Sequence, residues 1–268
     1  MSEITGIDDA GLREHLERTG LAGAIATDRS SNIGNLRGLA ARDPYYMFGL
    51  DIDPEWDEAA LLTLMNERAG ISVDPAFERG QDRIDPELTA ERLTAFGRRL
   101  GRSIDAGDAI LVATGHPHGV FDVHVSVARY AAGRGIRLLG LSDLGGERLV
   151  VDGPEGGEVH QEPSGVHLRS DDGRLLHTHS PLYMELLLDA LAARGLEPGL
   201  VVADHGWAGA AGARGIPTIG FADSNDPALF VGEAQGDVEV CVPIDDGLAP
   251  ETYGPVTLRI VSAAEGGR

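Results

Sequence analysis

Ala109–Thr114 (AILVAT), followed at once by Gly115-His116-Pro117-His118-Gly119, decides the fold. An unbroken apolar run bounded by glycine and proline predicts a strand buried on both faces. Downstream the chain keeps a strand–loop–helix rhythm. Helices are expected over Val120–Gly133, Pro181–Arg194, Trp207–Arg214 and Pro227–Gln235, with another at the C-terminus. Strands are expected over Ile136–Leu141, Gly199–Ala203, Pro217–Ala222 and Val238–Val242. Ser142–Gly157 is glycine-rich and acidic and reads as an exposed excursion. Glu158–His179 reads as a hairpin, with Val166–Ser170 and Leu175–His179 joined at Asp171-Asp172-Gly173. Such alternation predicts an α/β fold, Rossmann-like, with a largely parallel sheet and helices on both faces.

Upstream, the pattern is mostly helical. Gly11–Thr19 and Glu58–Ala69 are amphipathic, and Asp85-Pro86 opens a helix carrying Leu88, Leu93, Phe96 and Leu100. The polar stretches Thr27–Asn32 and Arg79–Arg83 are expected to be loops. The chain therefore divides into a helical N-terminal cap over 1–104 and an α/β domain over 105–268.

The chain has 268 residues and a net charge of −21, with a pI near 4.6. Such a charge repels phosphate backbones and anionic lipid, so neither nucleic acid nor a membrane surface is an expected partner. All 22 basic residues are arginine. Without lysine there is no Schiff-base chemistry and no Walker A loop. The lone cysteine, Cys241, excludes an internal disulfide and a cysteine zinc cluster. Met1–Asp9 lacks the features of a secretory leader, and a cytoplasmic location is the expectation.

Ligands of open α/β sheets bind at the carboxyl ends of the strands. Four such places carry polar, catalysis-capable residues. They are Thr114-Gly115-His116, His177-Thr178-His179-Ser180, Asp204-His205-Gly206 and Asp223-Ser224-Asn225-Asp226. Each leads towards a helix N-terminus, whose amides suit phosphate. Thr114, Gly115, Thr178, Ser180, Gly206, Ser224 and Asn225 are the candidate phosphate contacts. His179, Asp204, Asp223 and Asp226 are the candidate ligands of a divalent cation, Mg²⁺ or Mn²⁺. His116, His205 and Asp204 are the candidate acids and bases. Metal, phosphate cradle and base together describe metal-assisted phosphoryl transfer to water.

Plainer readings stand beside these. Ser180-Pro181 and Asp226-Pro227 are also ordinary helix caps. Gly206 and Gly209 also suit a tight turn, and His177 and His179 would share one face of a strand even if that face were only solvated. Asp122 and His124 read as helix polar residues, and His15, His160 and His167 as surface residues. None of the four loops is an HExxH, GxSxG or GxGxxG motif.

Several longer strings carry a resemblance. They are Ala26-Thr27-Asp28-Arg29 with Asn32, Pro44–Leu50 (PYYMFGL), Gly80-Gln81-Asp82 with Ile84–Leu88, Ala113–Pro117 (ATGHP), His177–Pro181 (HTHSP), Val202–Gly209 (VADHGWAG), and Asp223 with Asn225–Phe230 (NDPALF). With them the chain resembles a family, mainly from actinobacteria, designated simply as phosphatase. The resemblance spans nearly the whole chain. It departs at His118, where the family pattern has a small residue, and over 142–172. It implies a hydrolase of phosphoric monoesters. Asn32 and Gln81 are expected to face the same cleft as candidate substrate contacts, which would make the N-terminal segment a cap that selects substrate and excludes water.

The expected function is thus release of phosphate from a small phosphorylated metabolite, and a homo-oligomer is compatible with it. Two alternatives use the same scaffold: a sugar-phosphate isomerase or binding domain of sugar-isomerase type, and a non-catalytic metabolite sensor.

Overall fold

The computed structural model of the chain describes residues 8–153 and 156–266. The Met1–Asp9 opening, as far as Ile7, and residues 154–155 of the acidic excursion lie outside the described residues. The N-terminal part contains α1 (Asp9–Thr19), β1 (Gly23–Asp28), α2 (Arg29–Ala40), α3 (Pro44–Met47), α4 (Glu58–Ala69), β2 (Gln81–Ile84) and α5 (Pro86–Ala106). Next come β3 (Ile110–Ala113), α6 (Phe121–Gly133), β4 (Glu158–Gln161), β5 (Val166–Asp171), β6 (Arg174–Leu176) and α7 (Leu182–Ala192). The chain closes with β7 (Leu200–Asp204), α8 (His205–Ala213), β8 (Thr218–Ala222), α9 (Pro227–Gln235), β9 (Val240–Pro243) and α10 (Gly254–Gly266).

The central sheet has the order β4-β5-β3-β7-β8-β9, with β6 beside β5. β5, β3, β7, β8 and β9 are parallel, while β4 and β6 run antiparallel to β5. The fold is α/β with a mostly parallel sheet surrounded by helices, as the rhythm after Ala109 predicts. Successive strand residues face opposite sides. Leu111, Ala113, Val201 and Ala203 join a core with α2, α4, α7, α8 and α9. Ile110, Val112, Leu200 and Val202 join a second core with α1, α5, α6 and α10. Residues from both sides of position 104 share each core. Among the described residues no helix is long and apolar enough to cross a membrane.

Three expectations change. Thr27-Asp28 and Gln81–Arg83 are not loops: they belong to β1 and β2, which pair antiparallel, and Arg29–Asn32 opens α2. Their polarity hid the elements. Asp28 caps α2 by accepting from the Ser30 amide at 2.7 Å. On β2 the inward position is Asp82, a carboxylate paired with the fully buried Arg29 at 2.8 Å. Ile136–Leu141 forms no strand. Leu138 bridges Ile110, and then the chain turns at Leu141–Leu144. The reason is His167, read as a surface residue but fully buried. Its imidazole occupies the space beside Gly140 and accepts from the Leu141 amide at 3.3 Å. Last, β6 ends at Leu176, so His177 and His179 follow the strand instead of alternating along it.

The hairpin is nevertheless what brings those histidines to the rim. β5 carries β4 along one edge and β3 along the other, leaving β6 in line with β3 beyond its carboxyl end. Because β6 runs antiparallel, its own carboxyl end returns to that of β3. The Thr178 amide then donates to the Gly115 carbonyl at 3.1 Å.

Candidate active site

Asp204 is the hub of the rim. It is fully buried at the end of β7, and its carboxylate accepts the Thr114 hydroxyl at 2.5 Å, the Gly115 amide at 2.6 Å and His205 Nδ1 at 2.9 Å. His124 Nε2 lies 3.6 Å away. His205 begins α8 with φ 45°, a left-handed conformation uncommon for a residue with a side chain. Its other ring nitrogen, Nε2, is 3.1 Å from Asp226 and 3.8 Å from Asp246.

Two glycines let the neighbouring chain close on this helix. A Cβ at Gly206 would sit 2.3 Å from the His179 carbonyl oxygen, and one at Gly209 would sit 2.1 Å from that of Phe48. The close approach stacks the His179 and His205 rings with centroids 4.8 Å apart and packs Phe48 against both. His116 and His177 complete an imidazole cluster, their rings 4.4 Å apart and His116 4.6 Å from His205.

These rings form one wall of a cleft of about 360 Å³. The other wall is acidic: Asp223, Asp245 and Asp246, with Asp226 between the two walls. Three sets of side chains could each surround a metal ion: His116, His177 and His205; His179, His205 and Asp226; and Asp223, Asp245 and Asp246. Such a group fits here. His116, His179, Asp245 and Asp246 all line the cleft, and each keeps a buried ring nitrogen or carboxylate oxygen with no hydrogen-bond partner. Buried polar atoms are rarely left so.

Electrostatics separates the two walls. Burial, reinforced by the neighbouring His205, lowers His116 to about 3 and His179 to about 4, so both rings are neutral bases at neutral pH. Burial also opposes a charge on His205, but the Asp226 and Asp204 carboxylates outweigh it and hold His205 well above the usual imidazole value. Asp204 and Asp226 are lowered despite burial, chiefly through His205. On the acidic wall, burial and the nearby Asp245 push Asp223 up to about 7. Burial raises Asp245, and burial together with the surrounding carboxylates raises Asp246.

The candidate residues fall into two groups. His116, His179, His205, Asp223, Asn225 and Asp226 line the cleft. Thr114, Gly115 and Asp204 lie behind it, bonded to one another. The Thr178 hydroxyl accepts the Ser180 amide at 3.0 Å, and Ser180 lines an adjoining hollow. Ser224 is buried, its amide on Asp223 and its hydroxyl donating to Asn32 at 2.9 Å. Asn32 is itself buried and donates to Asp82 at 2.9 Å, linking the Arg29–Asp82 pair to the acidic wall without facing the cleft. Gln81 is exposed beside a separate hollow with Glu17 and Phe77. Asp226 caps no amide of α9, and its carboxylate faces His205 instead.

The reading of four loops missed several residues. Asp245 and Asp246 follow β9 as the others follow their strands, so the same rule would have found them. His177, which the sequence places in one of the four loops without a specific role, lines the cleft as well. Thr27, which donates to Asp223, and His124 had no local signal, because only tertiary packing brings them to the rim.

Thr114→Val tests the hub. It keeps the side-chain shape but removes one donor from a fully buried carboxylate. The expected loss of unfolding free energy, measured by urea titration, is about 1–3 kcal/mol.

A family model described as Phosphatase matches residues 7–267. Over 263 residues, 95% of each chain, the sequence is 41% identical to a Streptomyces coelicolor protein named Phosphatase SCO2771. Every described residue lies inside the family match, both cores and the whole rim included, and the chain belongs to the Phosphatase family.

Proposed function

We propose that the protein is a phosphatase that releases inorganic phosphate from a small phosphorylated metabolite with the help of a divalent cation. The observation that carries this is the single cleft where neutral imidazoles face a carboxylate cluster and several ligand-type atoms lack partners. A sensor needs shape and a few polar contacts, and an isomerase of the sugar-isomerase type needs no cation seat. Hydrolysis uses a cation, a base and an acid together.

Asp223, Asp245 and Asp246 would hold the cation, with Asp226 and His179 at its edge. An oxygen-rich seat of this kind suits Mg²⁺ or Mn²⁺. When bound, such an ion would neutralise phosphate charge and make the attacking water more acidic. His116, whose Nε2 lies 3.5 Å from Asp246, takes a proton from the attacking water. His205, cationic between Asp204 and Asp226, returns a proton to the leaving alkoxide from Nε2. Asp204 fixes the ring orientation through Nδ1. Phe48 and the neighbouring rings exclude water from that side.

Phosphate release from a mixed panel of phosphomonoesters should vanish after EDTA treatment and return with Mg²⁺ or Mn²⁺. Undiminished turnover under chelation would move the chemistry to the histidines alone. Saturable binding of the esters without phosphate release would favour the sensor.

A further inference from the structure

We propose that the substrate carries a flat, apolar group and that a hollow next to the cleft binds it. This inference rests on the phosphatase reading and adds the class of the leaving alcohol. The hollow has a volume of about 420 Å³, within the usual small-ligand range of about 300–1,000 Å³. Pro44, Tyr45, Met47, Leu50, Pro181 and Leu182 form its walls. No carboxylate, arginine or amide side chain lines it, and the polar side chains there are His179, Ser180 and the phenol of Tyr45.

Three observations identify the occupant. The hollow adjoins the cleft, and His179 lines both. A group seated in it would lie beside a phosphate held against the imidazoles. Two of its large apolar residues are exposed. Tyr45 is 50% and Leu182 44% exposed, two of the four large hydrophobic side chains left open to solvent among the described residues. Apolar surface gathered beside a polar cleft marks a ligand site. Finally, the Tyr45 ring lies 4.9 Å from that of His179 at a tilt of 35° and stands near-perpendicular to that of Tyr46 at 5.0 Å. This leaves aromatic surface flanking the hollow, on which a planar group can pack.

A sugar or glycerol moiety would bring several hydroxyls to walls that offer them few partners, and unpaired hydroxyls are costly to bury. An aryl or similar flat ester loses nothing in that exchange and gains apolar burial. The chemistry of the hollow thus selects phosphomonoesters of flat, apolar alcohols over sugar phosphates.

The test compares 1-naphthyl phosphate with glycerol 3-phosphate in the wild type, Tyr45→Ala, Tyr45→Phe and Leu182→Asn. Both positions are half-open to solvent, so the fold should survive each change. The expected result is a higher kcat/KM for the naphthyl ester in the wild type. The naphthyl-to-glycerol ratio should fall about tenfold or more in Tyr45→Ala and Leu182→Asn, mostly through KM, and be retained in Tyr45→Phe. A wild type that prefers the glycerol ester, or a ratio unmoved by both variants, overturns the inference and leaves the phosphatase reading intact. So does a wild-type dimer that Leu182→Asn dissociates without moving the ratio, since a second copy would then cover the hollow. If neither ester is hydrolysed, calorimetric binding decides. Naphthyl phosphate binding more tightly than inorganic phosphate, and losing that advantage in Tyr45→Ala, upholds the hollow while the phosphatase reading fails. Equal binding of the two overturns the hollow as well.

Discussion

Replacing His205 with Asn should lower phosphate release by about a hundredfold to ten-thousandfold, the range for removal of a positioned acid. It should also destabilise the metal-free protein. Asn tolerates the left-handed backbone at this position better than most residues do, so the change tests the imidazole and spares the turn. In the wild type the ring stands between Asp204 and Asp226, all three nearly inaccessible to water. Removing the cation strands two buried carboxylates, and losing one partner of a buried pair costs about 3–5 kcal/mol.

The pH dependence has a definite sign. His205 is raised in the folded state, so its contribution is complete below the unfolded imidazole value near 6.5 and fades as pH rises through its higher folded value. Asp204 and Asp226 are lowered, so theirs is present above about 4 and fades as pH falls through their lower folded values. The stability gap between wild type and variant should therefore be widest between about pH 4 and 6.5. Urea midpoints in EDTA at pH 5, 7 and 9 measure it. A gap that stays constant with pH would show His205 acting as a neutral packing group.

Asp223→Asn should abolish turnover and leave the metal-free protein as stable as the wild type, or more so at pH 8. Asp223, Asp245 and Asp246 are close enough to share one ion and are buried without one another's counter-charge. Burial and Asp245 raise Asp223 to about 7. A carboxyl raised on folding binds more protons in the folded state, so stability falls as pH rises from about 4 to that value. The Asn variant should lose this slope. It should also lose the rise in melting temperature that Mg²⁺ or Mn²⁺ confers by binding only the native state. Because the ion displaces protons, wild-type metal affinity should strengthen from pH 6 to pH 8. Thermal melts of both proteins, with and without metal, separate the cases. A variant that is less stable yet still responds to metal would make Asp223 a structural loop residue, held by its bonds from Thr27 and the Ser224 amide.

Much of the sheet was legible because its signal is local. Ala109–Thr114, Gly199–Ala203 and Pro217–Ala222 are apolar runs that only a doubly covered sheet can bury, and each lies within a residue or so of the observed strand. The same locality exposed Asp204, Asp223 and His116, since a strand's carboxyl end is a position in sequence as well as in space. β1 and β2 were illegible for the opposite reason. Their inward face includes Asp82, whose burial makes sense only beside Arg29, 53 residues away. No window along the chain contains both.

The roles of the rim residues divide along the same line. The sequence alone determined that His116, Asp204, Asp223 and Asp226 follow the carboxyl ends of parallel strands, because alternation of strand and helix dictates that placement. Only the tertiary structure decided which of them face the cleft. Thr114 and Gly115 carry the donors that a phosphate would need, but those donors are spent on Asp204. Asp226 could have capped α9, and it turned to His205. A hydrogen-bonding side chain satisfies whichever partner folding brings within about 3 Å. Distance of that kind is set by helices packed on both faces of the sheet, not by spacing along the chain.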